Sequence, residues 1–128
     1  MKKYVQILGL WILSITAITI AGCIGVPRSL EPVEGFVADR YLGKWYEIAR
    51  LNHRFEKDLE AVTAEYSLLP EGKISVINRG YSKEKGRWKQ ITGHAKSVSD
   101  VGIGHLKVSF FGPFYASYVI FGLDSARN

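Results

Sequence analysis

Histidine, cysteine and carboxylate side chains do most covalent and metal chemistry in proteins, and here they are sparse. The 128-residue chain has three histidines and one cysteine. His53 falls in a charged connecting stretch, and His94 and His105 fall in runs that alternate as strands. No spacing among them builds a metal site. Gly-x-Ser-x-Gly, His-Glu-x-x-His and phosphate-loop patterns are all missing. The reading is therefore of a non-enzyme without metal or cofactor. Two features remain. Cys23 has no second cysteine to pair with, so an intramolecular disulfide is excluded. A group of cations, Arg79, Lys83, Lys85, Arg87 and Lys89, is opposed by Glu84 alone. It suits a carboxylate or phosphate head group, and suits equally a solvated hairpin with no ligand role. A nucleic-acid reading of Arg87-Trp88-Lys89 is weak, because the run is short.

The elements around Cys23 say what the thiol is for. Lys2 and Lys3 precede an uncharged apolar run, Tyr4 to Ile20, which ends in the small residues Ala21 and Gly22. This is the pattern of a secretory leader, residues 1–22, which takes no part in the fold. Cysteine directly after Ile20-Ala21-Gly22 resembles the lipobox of bacterial lipoproteins. The resemblance implies cleavage before Cys23, diacylglycerol on its thiol and an acylated amine. Such a chain is held at a membrane by its acyl chains. Ile24, rather than aspartate, favours the outer membrane within that family. Residues 23–32 then form the lipidated cysteine and an extended Pro- and Gly-containing linker. Two of the 17 basic residues, Lys2 and Lys3, belong to the leader, so the excess over 12 acidic residues in the exported part is mild. No nucleic-acid partner is implied.

From residue 33 the chain reads as one all-β domain, an up-and-down antiparallel meander of six strands. A helical turn is expected near Ala38 to Tyr41. Strand A should run from Lys44 to Leu51, B around Val62 to Leu68, C from Lys73 to Arg79 and D from Arg87 to Val98. Strand E should centre on Leu106 to Phe110, and F should run from Tyr115 to Leu123. Alternation groups Val62, Ala64 and Tyr66 on one face of B, Ile74, Val76 and Asn78 on one face of C, Leu106, Val108 and Phe110 on one face of E, and Tyr118 and Ile120 on one face of F. Gly93 suggests a bend or bulge in D, and apolar residues on both sides of F suggest cover on both faces. Trp45 and Tyr46 are expected to plug opposite sides of the sheet, with Gly43 admitting a close backbone approach.

Gly43-Lys44-Trp45-Tyr46, within the longer run Tyr41 to Glu56 (YLGKWYEIARLNHRFE), resembles the strand A signature of the lipocalins. The longer run is similar to the bacterial outer-membrane lipocalins and their animal relatives of the apolipoprotein D type. The resemblance implies an up-and-down β-barrel around a cavity. Of the eight family strands, residues 33–128 cover about A to F, and the C-terminal helix is missing. The domain is therefore expected to be incomplete: poorly stable alone, or dimeric, or the product of a truncated reading frame. The register that the resemblance suggests brings these alternating residues, with Ile91 of D, to one inner face, which makes the twelve candidates for ligand binding. Gly43, Trp45 and Tyr46 are the structural signature, with Trp45 closing the floor. Glu47, on the face of Trp45, is read as a paired polar group inside the barrel rather than an acid or base. The A–B, C–D and E–F connections form the open end in the family, which makes Arg79, Lys83, Lys85 and Arg87 candidates for a head group at the mouth. The implied function is a lipid-anchored envelope lipocalin at the periplasmic face of the outer membrane. It would bind, store or transport fatty acids, lysophospholipids or similar small apolar ligands. The alternative is a structural or interaction lipoprotein with a filled barrel and no ligand.

Overall fold

The computed structural model describes residues 25–51, 57–98 and 102–126. The leader, Cys23 and His53 lie outside the described residues. A helical turn, α1 (Ala38–Tyr41), precedes six strands: β1 (Gly43–Tyr46), β2 (Leu59–Leu68), β3 (Ile74–Ser82), β4 (Arg87–Ser97), β5 (His105–Phe111) and β6 (Phe114–Val119). They form one antiparallel sheet in chain order. The expected meander is present, with different strand ends.

Strand β1 stops at Tyr46, five residues short of the expected Leu51. The cause lies on its partner. Ala61 has φ 49, and the β2–β3 register shifts between Glu60 and Thr63. A non-glycine residue there is a bulge. Past it only Glu47 N–H reaches Val62 O, at 3.0 Å. Ile48 and Leu51 are left 94% exposed. Strand β6 ends at Val119 because Ile120 changes partners. Its N–H donates to Gly104 O, its carbonyl accepts from Val33 N–H, and Gly104 N–H donates to Val33 O. The segment from Val33 to Leu42 thus laces one end of the sheet and lowers Phe36 and Tyr41 into the interior. Phe121 is 68% exposed, so β6 is not covered on both faces as expected.

Three glycine and aromatic expectations also change. Gly43 has φ +102 and open space where a Cβ would stand, so it serves a backbone turn and not a close approach. Tyr46 is exposed, with Lys44 Nζ 5.7 Å from its ring centre, and plugs nothing. Gly93 sits in an unbroken register, Val76↔Gly93, and makes no bulge. Its reason is space: a Cβ there would lie 2.4 Å from Ser109 O and 2.6 Å from Phe110 Cδ1.

The buried core lies at the laced end and comprises Phe36, Tyr41, Tyr66, Ile74, Val76, Ala95, Leu106 and Ile120. Aromatic side chains tie it together. Tyr41 meets Phe36 edge-on at 5.5 Å, Trp45 at 4.6 Å and Tyr66 at 5.0 Å between ring centres. Trp45 Nε1–H donates to Tyr41 O at 2.8 Å. The Tyr118 hydroxyl, on the last strand, lies 2.9 Å from that of Tyr41 and 3.3 Å from that of Tyr66. A side chain of β6 reaches one of β2 only if the sheet curls on itself. Burial first, then the hydrogen bond with Tyr118, pushes the Tyr41 phenol well above its ordinary value. Burial first, then the charge a Tyr118 phenolate would carry, does the same for Tyr66.

Two outcomes follow from these contacts. Gly93→Ala should lower stability by about 1–3 kcal/mol, because backbone and a packed ring must both move. Gly122→Ala, whose Cβ meets nothing, should stay near wild type; urea denaturation of both variants checks the pair. The folded phenols of Tyr41 and Tyr66 keep their protons above pH ~10, where unfolded phenols release them. Their contribution is therefore complete below pH ~10 and lost as pH rises toward the folded values. Stability measured across alkaline pH should fall steeply there, with the phenolate absorbance of these two buried tyrosines appearing together with unfolding. Full ionisation of the tyrosines in a still-folded chain would contradict the burial.

Candidate functional site: a cavity at the open end of the sheet

Opposite the laced end the inner face of the sheet is not filled. It encloses a cavity of about 990 Å³, at the upper end of the range for small-molecule sites. Strand β2 contributes Leu59, Val62, Ala64 and Tyr66 to its wall, and β3 contributes Asn78 and Gly80. Ile91 of β4, Phe110 and Phe111 of β5 and Tyr118 of β6 continue it, and Tyr41 and Trp45 bound it from below. The registers Ala64↔Asn78 and Asn78↔Ile91 put one small, one polar and one apolar side chain side by side on the wall. Among the described residues Asn78 Oδ1 is buried without a hydrogen-bond partner.

Seven of the twelve alternating residues, Val62, Ala64, Tyr66, Asn78, Ile91, Phe110 and Tyr118, line this space. The other five do not. Ile74, Val76, Leu106 and Ile120 are buried in the core, and Val108 packs against it. Alternation selects the face of a strand but not the depth along it. The division comes from Phe110, whose ring occupies the space beside Gly93 and so covers the core. The space at Gly93 is taken by that ring. Trp45 is part of the cavity floor, hydrogen-bonded to Tyr41 as described above.

At the mouth the cation group divides. Arg87 and Lys89 pair with Ser82 and Gly80 on the inward row of β3 and line the cavity. Arg79 joins them from the rim, its guanidinium 5.6 Å from the centre of the Trp88 ring. Lys83 and Lys85 are not on the wall. The Lys83 ammonium pairs with Glu60, and Lys85, exposed in the β3–β4 turn, donates its backbone N–H to Ser82 Oγ at 3.2 Å. The turn lifts both away from the opening. Lys89 Nζ lies 3.3 Å from Asp58 Oδ2, which also accepts from Ser82 Oγ at 2.6 Å. The Ser82 hydroxyl, and then Lys89, hold the Asp58 carboxyl below the usual carboxylate range. Glu47 lines the cavity and bonds Arg50 at 2.6 Å, and Arg50 also donates to Leu59 O at 2.7 Å. Glu47 is paired as expected, but it lies exposed past the end of β1 rather than inside the barrel.

Several wall residues have little sequence signal. Leu59 is three residues from Val62, and simple alternation sends it outward. The bulge at Ala61 reverses that phase, and Leu59 meets Ser82 and Gly80 on the inside. Tyr41 belongs to a helical turn and enters through tertiary folding alone. Trp88 and Phe111 form the rim because their strands end there.

A lipocalin-like domain family matches residues 36–128. An outer membrane lipoprotein Blc of Vibrio cholerae is 55% identical over 112 residues, covering 88% of this chain and 66% of the relative. The outer membrane lipoprotein Blc of Escherichia coli K12 is 52% identical over 98 residues, covering 77% of this chain and 55% of the relative. Mouse apolipoprotein D is 38% identical over 78 residues, 61% of this chain and 40% of that protein. The chain thus spans at most about two thirds of the length of these relatives. With the up-and-down antiparallel sheet and its curled interior, these matches lead to one conclusion: the chain belongs to the lipocalin-like family.

Proposed function

We propose that this chain is a lipid-anchored lipocalin of the bacterial outer membrane, on its periplasmic face, that binds, stores or carries fatty acids, lysophospholipids or similar amphiphiles. The observation that carries the reading is the cavity of about 990 Å³, apolar along its depth and cationic only at its mouth. An acyl chain would lie against Val62, Ala64, Ile91 and Phe110, with its head group toward Arg79, Arg87 and Lys89. Burying about fourteen methylenes is worth roughly 11 kcal/mol gross. Chain ordering and lost translational freedom cancel much of this. Micromolar binding or somewhat tighter follows, with weak discrimination among chains of similar length, since an extra methylene changes so little. Binding needs no covalent step. Attachment through acylated Cys23 agrees with the names of the Vibrio and Escherichia relatives, both outer membrane lipoproteins.

Native mass spectrometry of the full chain from the bacterial envelope tests this directly. The expected species carries an added mass matching a fatty acid or lysophospholipid, and fatty acids displace a pocket dye from it. A ligand-free chain that binds no dye would favour the filled structural lipoprotein instead. Reversing Arg79 and Arg87 to glutamate should weaken fatty-acid binding about tenfold or more, because a charge-assisted contact is lost. The same change at Lys83 and Lys85 should leave it nearly unchanged. Equal effects from both pairs would remove the mouth from the reading.

A further inference from the structure

Beyond the part that Phe110 and Phe111 play at the cavity wall and rim, the β5–β6 hairpin carries two features that the core and the cavity do not account for. Its tip, Phe110-Phe111-Gly112-Pro113-Phe114, has no charged residue. Phe111 and Phe114 face each other across the turn and are 72% and 65% exposed. Behind this tip, on the outer wall, Lys96 of β4 and Lys107 of β5 are directly opposed across the strands. Like charges in that position destabilise a sheet. Both ammonium groups converge on one ring: Lys96 Nζ is 5.1 Å and Lys107 Nζ 5.5 Å from the centre of Tyr115. That ring is held in place by His94 Nε2, 2.7 Å from the Tyr115 hydroxyl. Among the described residues neither lysine forms a salt bridge with a carboxylate.

An exposed aromatic tip with uncompensated cations behind it matches the cross-section of a lipid monolayer. Aromatic groups favour the boundary between acyl chains and head groups, and lysines extend their ammonium groups to the phosphates. Lys107 lies four residues from Phe111, roughly 13 Å along a strand, and its flexible stem can shorten that span. The other turn at this end of the sheet adds half-exposed Trp88 beside Lys83, Lys85 and Arg87. We propose that the β5–β6 hairpin docks on a bilayer containing anionic phospholipids, with Phe111 and Phe114 entering the interface and Lys96 and Lys107 holding phosphate groups. Docking turns the mouth of the cavity toward the membrane. The Tyr115 ring offsets part of the repulsion within this lysine pair, and anions lying over the pair would relieve the rest.

Hydrogen exchange on the full chain reconstituted in vesicles tests the contact locally, whatever holds the chain to the vesicle. Amides from Ser109 to Ala116 should exchange more slowly in phosphatidylglycerol vesicles than in phosphatidylcholine vesicles or detergent. Molar salt should remove the difference. Lys96→Gln with Lys107→Gln should lower the docking equilibrium constant roughly thirtyfold, and Phe114→Ser should lower it as well. Neither variant touches the cavity wall, so both should bind fatty acid normally. Failure of docking with intact fatty-acid binding would overturn this proposal and leave the cavity reading standing. Equal exchange in all three media would overturn it. So would protection that persists in detergent and grows with protein concentration, which would show that a second copy covers the hairpin.

Discussion

The curl of the sheet rests on three phenol oxygens, since among the described residues β1 and β6 are paired as strands only with their sequence neighbours, β2 and β5. Tyr118 links to Tyr41, 77 residues away, and to Tyr66, 52 residues away. Those contacts bring the inner faces of the last and second strands together above a helical turn. Burial makes the arrangement demanding, because a phenol without a partner in that position keeps its full desolvation cost. The rings around the cluster share the load. Tyr41 touches Phe36, Trp45 and Tyr66, so one side chain joins the N-terminal segment, the signature strand and the first long hairpin. The backbone lacing of Val33 with Gly104 and Ile120 secures the same end.

From that end outward the interior changes character. Where the strands are laced, Ile74, Val76, Ala95 and Leu106 are buried together in one apolar cluster. Phe110 lies across the missing side chain of Gly93 and ends the packed region. Beyond it the same strands diverge into open volume. A single small-large pair thus separates a structural half from a binding half, although each strand crosses both. This division suits an amphiphile: the apolar depth can take a chain, and the polar requirements collect at the mouth.

Charge at the open end is sorted in the same way. Asp58 restrains Lys89, and Glu60 restrains Lys83. Arg79 stacks on Trp88, which presents its guanidinium at the rim. Membership in the lipocalin-like family supplies the scaffold, but a fold hosts many functions and the ligand class must be argued from these residues. The lysine pair on the outer wall belongs to a different surface from the mouth. It gives the open end a second charged feature with a separate use.

Much of the fold was legible in the sequence because one periodicity and one motif carry it. Alternation over β2, β3 and β5 identified which residues face inward, and Gly-x-Trp-Tyr identified where the sheet begins. The reading of a leader and of Cys23 rests on pattern alone, since both lie outside the described residues. Tertiary structure alone decided depth, strand ends and partners. Alternation has a period of two and no term for position along the barrel, so it could not separate Val62 from Ile74. A bulge reverses phase through one backbone angle, and Ala61 gives no compositional warning of it. The roles of Tyr41, Gly93 and Lys83 depend on atoms from distant segments: Tyr118, the Phe110 ring and Glu60. Such contacts exist only once the sheet has curled, and the local sequence holds no record of them.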